Sequence, residues 1–166
     1  GEDIVSRNPS ATQARVGALQ FVVITARDMY GNARSFGGDR FALTLDGPNG
    51  TRLVGSSMVD YANGTFVGSY LATVAGNYSV RVQRADEAGI FWDIKGSPFK
   101  VRVASGPTNP FISRLVGSHE VVAGEQSGFT LMSRDEFGNS PLGGERHRFD
   151  VSVVSRASGR TVPVAR

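Results

Sequence analysis

The sequence predicts an all-β protein, a sandwich or barrel of short strands, and three observations carry that expectation. Glycine is abundant, 21 of 166 residues, and glycine breaks helices while serving turns. Runs rich in β-branched and aromatic residues recur along the chain, several alternating apolar with polar as half-buried strands do. Turn clusters separate the runs at Tyr30-Gly31-Asn32, Asp46-Gly47-Pro48-Asn49-Gly50, Ala62-Asn63-Gly64 and Ala75-Gly76-Asn77, the spacing of an antiparallel sandwich.

The first run is Leu19–Thr25. The second, Arg40–Leu45, alternates Phe41, Leu43 and Leu45 inward with Ala42 and Thr44 between them. A strand over Arg52–Val59 is expected next, then Gly64–Tyr70. In Asn77–Val82, Tyr78, Val80 and Val82 share one face while Ser79 and Arg81 take the other. The last strong run is Phe99–Val103. Pro98 has no N–H for a ladder and marks a sheet edge or bulge at its start. Asp28 is placed to accept backbone N–H groups in its turn. Gly31 and Gly64 supply positive φ at low cost. Tyr70 and Tyr78 combine an apolar body with a hydroxyl that reaches a loop carbonyl. Phe91 and Trp92, adjacent in an extended segment, point to opposite sides; Phe91 is expected to cap the sandwich and Trp92 to be exposed as a candidate interface residue.

The chain also repeats itself. Arg27-Asp28-Met29-Tyr30-Gly31-Asn32 recurs as Arg134-Asp135-Glu136-Phe137-Gly138-Asn139, an offset of 107 residues. This divides the chain into a complete unit at 1–105, a linker at 106–110 stiffened by Pro107 and Pro110, and a partial second unit at 111–166 that stops before its back half. The partial unit is expected to order only when its missing strands are supplied.

An ordered set of motifs over residues 14–104 resembles the filamin-type immunoglobulin-like repeat. Asp28-Met29-Tyr30-Gly31-Asn32 is similar to the family's Asp-x-x-Gly-Asn turn after strand B. Phe41–Pro48 is similar to strand C and its exit, and Val59–Tyr70 to the turn and strand E, with Asn63 where the family usually has Asp. Ala75–Val82 resembles strand F. Ile94-Lys95-Gly96-Ser97-Pro98-Phe99 resembles the strand G signature. The segment Asp86–Asp93 between F and G is an elaboration. The resemblance implies an immunoglobulin-like β-sandwich, tandem, with sheets A-B-E-D and C-F-G. It further implies cytoskeletal scaffolding, with partner tails docking between strands C and D; association with cytoskeletal filaments would run through the rest of the protein.

Composition narrows the function classes. The net charge is +3, and 16 Arg against 2 Lys are scattered singly from Arg7 to Arg166, whereas nucleic-acid binders cluster them. No nucleic-acid partner is expected. Cysteine is absent, which removes disulfides, thiolate zinc sites and a cysteine nucleophile. No apolar run approaches 18 residues, so no membrane insertion of this fragment is expected. Gly1-Glu2-Asp3 carries no signal-peptide pattern, and a chain without an initial Met reads as cut from something longer.

No enzyme is expected. No Gly-x-Ser-x-Gly elbow marks a nucleophile. His119 is one of only two histidines; the other, His147, within Glu145-Arg146-His147-Arg148, reads as a surface residue. Asp86-Glu87 reads as a solvated loop pair. Ser35–Asp39 lacks the Lys-Ser/Thr ending of a phosphate loop, and alternating carboxylates of a calcium loop are missing. No catalytic residue, metal site or cofactor is expected. Three sequons place candidate glycosylation at Asn49, Asn63 and Asn77.

Function is therefore expected at edges and in spacing. Strands C and D leave open edges with unpaired backbone groups. The candidate peptide groove runs along Arg40, Phe41, Ala42, Leu43, Thr44 and Leu45, opposite Val54, Gly55, Ser56, Ser57 and Met58, where small residues leave room for partner side chains. The competing occupants of that edge are a neighbouring repeat or the segment Asp3–Arg15. The function expected is a non-enzymatic scaffolding module of a larger protein, holding partners at fixed spacing and binding extended peptides, in a cytoplasmic or cytoskeletal setting. The alternative is a cell-surface or extracellular adhesion array, and a third reading is an accessory domain of an enzyme encoded outside the fragment.

Overall fold

The computed structural model describes residues 3–5, 14–117, 120, 122, 125–141, 149–154 and 157–162. His119 and His147 lie outside the described residues. The strands are β1 (Asp3–Val5), β2 (Ala14–Arg15), β3 (Leu19–Thr25), β4 (Phe41–Asp46), β5 (Arg52–Val54), β6 (Val59–Asp60), β7 (Thr65–Leu71) and β8 (Gly76–Ala85). There follow β9 (Phe91–Asp93), β10 (Phe99–Ala104), β11 (Arg114–Gly117), β12 (Phe129–Met132), β13 (Val153–Val154) and β14 (Thr161–Val162). Among the described residues no helix is long and apolar enough to cross a membrane.

Two sheets face each other in an immunoglobulin-like sandwich. One has the order β1-β3-β7-β6, the other β2-β10-β8-β4-β5 with β9 beside β8. In family lettering these contain the expected A-B-E-D and C-F-G, with β2 added outside G, β9 beside F and the short β5 outside C. Tyr78, Val80 and Val82 of β8 and Leu43 and Leu45 of β4 meet Val22, Ile24 and Phe66 of the opposite sheet in one buried cluster. Each such side chain contributes about 1.5–3 kcal/mol on leaving water. Phe41 is half-buried at the cluster's edge, its ring 4.7 Å from that of Phe66.

Backbone demands account for the punctuation. Gly64 sits at φ +82°, and a Cβ there would collide with the Arg34 carbonyl, so only glycine closes this turn against the B–C loop. Pro98 follows a cis peptide bond just ahead of β10. The Tyr78 hydroxyl reaches the Val74 carbonyl, 2.8 Å away, as expected for a tyrosine at the E–F corner.

The structure corrects the expected strand D. Arg52–Val59 is not one strand: β5 pairs with β4 in one sheet and β6 with β7 in the other. The chain changes sheets at Gly55–Ser56, where Gly55 N–H donates to Leu43 and Ser56 N–H donates to Ser69 across the sandwich. The run lacks the unbroken alternation that would keep a strand in one sheet, because Gly55-Ser56-Ser57 offers nothing to bury.

Candidate functional site

The edge of β4 is largely occupied. Its register with β5 runs Thr44↔Val54, Leu45↔Leu53 and Asp46↔Arg52; Leu43 accepts from Gly55 at 2.9 Å and Gly47 donates to Thr51 at 2.7 Å. Strand C is therefore not the open edge that the sequence predicts over Arg40–Leu45. Leu43 and Leu45 are buried, Ala42 and Thr44 half-buried, and Arg40 exposed. Gly55 does not leave room for a guest, because a Cβ there would stand against the Leu43 side chain, and Met58 fills the place a side chain at Gly68 would need. Ser56 and Ser57 remain exposed, and Ser56 Oγ accepts the Ser69 N–H at 2.8 Å.

The open edge lies one strand further out. β5 ends its sheet's order. Antiparallel alternation turns the backbone groups of Arg52 and Val54 away from β4, and Val54 is 79% exposed. The N-terminal strands do not cover this edge: β1 pairs with β3 and β2 with β10.

At the end of the sandwich formed by the B–C and F–G loops, a surface cleft of ≈ 690 Å³ runs between Met29, Phe36 and Trp92. Arg34 stacks 4.3 Å over the Phe36 ring, and Arg34 and Arg84 both bond to the Asp39 carboxylate. Neither Phe91 nor Trp92 caps the core. Phe91 is 45% and Trp92 63% exposed, and Ile94 is the buried residue of this segment. Phe91-Trp92-Asp93 forms β9 on the flank of β8, so both rings lie outside the sandwich. Asp86 is not a merely solvated acid. It accepts the Ile90 N–H and the Trp92 indole N–H at 2.8 and 2.9 Å. The indole bond, reinforced by Ile90, holds its carboxyl below the usual carboxylate range.

Asp28 is wired in the same way. Its carboxylate accepts the Asn32 side-chain amide and the N–H groups of Asn32 and Tyr30, each at 2.9 Å. The Asn32 amide and these N–H groups lower its pKa. Asp135 repeats the pattern and adds a partner: its second oxygen accepts Gly106 N–H at 2.8 Å. Burial pushes the Asp135 carboxyl up, and the bonds from Asn139, Gly106 and Phe137 outweigh it and hold it low. Asn139 then reaches the turn between β7 and β8, accepting from Ala75 N–H and donating to the Thr73 carbonyl, both at 2.9 Å. Asn109 N–H donates to Arg134 at 2.7 Å.

The three sequon asparagines are all exposed. Asn49 has a φ of +55°, and Asn63 accepts the Thr65 N–H at 3.0 Å. Among the described residues no group of three or more His, Asp or Glu is placed to hold a metal.

A family model for the Filamin/ABP280 repeat matches residues 3–100. The chain belongs to the filamin repeat family. The E3 ubiquitin-protein ligase TRIM71 of Rattus norvegicus is 34% identical over 94 residues, 57% of this chain and 10% of that protein. The chain thus spans about a tenth of the length of this curated relative. Among solved structures, the Lin-41 filamin domain is 19% identical with a TM-score of 0.47, over 61% of this chain and 90% of that one. Invasin, a bacterial integrin-binding protein, is 15% identical with a TM-score of 0.59, over 87% of this chain and 28% of that one, a likeness of fold.

Within this filamin repeat, sequence reasoning missed the Arg34–Asp39–Arg84 cluster, which ties the loop between β3 and β4 to the distant strand β8. It also missed the outermost strand β5, which spans only three residues. The role of Asn139 had a signal, the repeated hexapeptide, but its target at Thr73–Ala75 is a tertiary fact.

Proposed function

We propose that the filamin repeat at 1–105 is a non-enzymatic protein-interaction module of a larger protein, followed by a linker at 106–110 and a partial second repeat at 111–166. It takes an extended peptide as an added strand at the C–D edge, along the outer side of β5, with Ser56–Met58 below it. The observation that carries this is the exposed, outward-turned backbone at Arg52 and Val54. Added strands draw affinity from main-chain bonds and specificity from alternate side chains. β5 itself bears no proline, and its one charge, Arg52, stands at its start. The bonded junction at Gly106–Asp135 supports a scaffold that holds partners at fixed separation. A role as accessory recognition domain of a ligase is supported by the match to TRIM71.

The test is selection of unstructured 12-residue peptides from a display library against the whole chain. Val54→Pro removes one outward N–H without touching the ladder to β4, because Val54 turns that group away from it. Selected peptides should bind the variant at least tenfold more weakly while its melting midpoint holds. Unchanged binding would refute the C–D edge. The second reading, an adhesion array at the cell surface, is supported by three exposed sequons and the fold likeness to invasin; glycan on Asn49 or Asn77 of the native protein would favour it.

A further inference from the structure

The Asp-x-x-Gly-Asn turn occurs twice with the same internal wiring. Asp28 N–H donates to Asn32 at 2.9 Å and Asp135 N–H to Asn139 at 3.0 Å; Gly31 and Gly138 each donate to their aspartate carbonyl at 3.0 Å. The second turn is seated on the first unit. Asn139 bonds Thr73 and Ala75, and the Phe137 ring lies over Gly17, 2.7 Å from where a Cβ would stand. Gly17 is thus the floor on which the ring rests, and no other residue leaves that space.

The first turn has the same tools at the opposite end of the sandwich. β3 starts beside Leu71, next to the Thr73–Ala75 seat, and ends beside Thr65, next to the Asp28–Asn32 turn. Tyr30 stands where Phe137 stands in the repeat, yet it is 81% exposed against 41% for Phe137, and Met29 is 82% exposed. The Asn32 side chain is exposed and, among the described residues, bonds only to Asp28. The glycine of the seat recurs in the sequence as well: Gly124 follows Gly17 by 107 residues, the same offset as the turn.

We propose that the Asp28–Asn32 turn is a clasp for the tail end of another sandwich unit of this same kind. Asn32 would bridge the carbonyl and N–H of that unit's E–F turn, and Tyr30 would rest on the glycine of its A–B turn. A side-chain amide, whose NH2 can hold Asp28 and still donate outward beside its acceptor oxygen, and an aromatic ring beside it match a turn with a glycine floor. An extended strand, with its evenly repeating groups, is not matched. One clasp per unit, each gripping the unit before it, sets the relative orientation of neighbours along an array.

The test places residues 14–107 directly ahead of Gly1 of the whole chain, which sets the original turn 107 residues after its copy in the added unit, the same offset that separates the two turns of the chain. The added unit carries its own core, because the buried cluster is drawn entirely from Ala14–Val103. Spin labels on the added and original units should give one narrow distance distribution, and amide exchange at Tyr30–Asn32 should slow at least tenfold relative to the 166-residue chain. Asn32→Ala with Tyr30→Ala should broaden that distribution at least twofold, while the same pair in the 166-residue chain leaves its Thr73–Asn139 junction intact. Asn139→Ala should broaden only the second junction. A broad first distribution, unslowed exchange, or a narrow distribution in the double variant would each overturn the clasp.

Discussion

The Tyr78 hydroxyl donates to the Val74 carbonyl at 2.8 Å, and Val74 lies between the two residues that Asn139 grips. A core ring thus shapes the turn on which the next segment sits. Burial raises the pKa of the Tyr78 phenol, so the donor stays protonated throughout the ordinary pH range.

Removing only that hydroxyl should therefore be felt. Tyr78→Phe is expected to cost about 1 kcal/mol, the worth of one hydrogen bond with the ring packing kept. For a domain of this size that lowers the melting midpoint by roughly 4–8 °C. A midpoint within 1 °C of the parent, on the order of error for such scans, would show that the bond contributes nothing.

Phe41→Ala tests the packing of strand C. Phe41 touches Phe66 and is only half-buried, so the expected cost is about 3 kcal/mol, the low end for losing an aromatic ring. Denaturant unfolding with an unchanged slope measures it. A loss under about 1 kcal/mol would place Phe41 outside the core.

Trp92 is the single tryptophan of the chain, so its emission reports one site. It is expected to be red-shifted and open to iodide, given its exposure. Its bond to Asp86 depends on a carboxylate whose pKa is lowered in the fold. The bond is fully present above the ordinary value of 3.8 and is lost as the pH falls through the lower folded value. Emission should hold steady from neutral pH down to about 4 and change below it. In Asp86→Ala that acid transition should vanish; its persistence would assign it to another group.

Acid should also open the junction between the segments. The folded pKa of Asp135 is depressed, so its contribution is complete above 3.8 and disappears as the pH drops through the folded value. Amide exchange at Gly106, whose N–H the carboxylate holds, should accelerate there relative to the base-catalysed trend. Asp135→Ala should show fast exchange at Gly106 already at neutral pH; protection as in the parent would refute this.

Residues 107–166 in isolation should not melt cooperatively. Leu115, Val116, Phe129 and Val153 are all exposed, and the two separate two-stranded pairs among the described residues bury too little apolar surface to offset chain entropy. A sharp, cooperative transition from this piece alone would contradict the expectation.

Much of the first unit was legible because its long strands carry clean alternation: Leu19–Thr25 matches β3 from end to end, and the inward residues of β4 and β8 are those the period-2 pattern selects. The edges were not. β5 and β6 are three and two residues long, too short for a period to register, and which sheet each joins depends on Gly55 packing over Leu43. Trp92 is exposed as expected, but the fate of Phe91 was hidden for a similar reason. Adjacent apolar residues suggest a core cap, but a three-residue strand on the flank of β8 leaves both rings in solvent. Asp86 looked like loop charge because nothing local marks an indole six residues away as its donor.

The parallel pairing of β2 with β10, Ala14 beside Val103 and Arg15 beside Ala104, has a mechanical consequence. Both strands run toward the same end of the sandwich, so tension that pulls the chain apart draws β2 back toward the B–C loop end while dragging β10 the other way. The force slides one strand along the other, and the Val16–Ala104 bond shares the load with its neighbours instead of being peeled alone. Yielding under force therefore requires these bonds to break together, with a resistance governed by the unfolding barrier rather than by equilibrium stability.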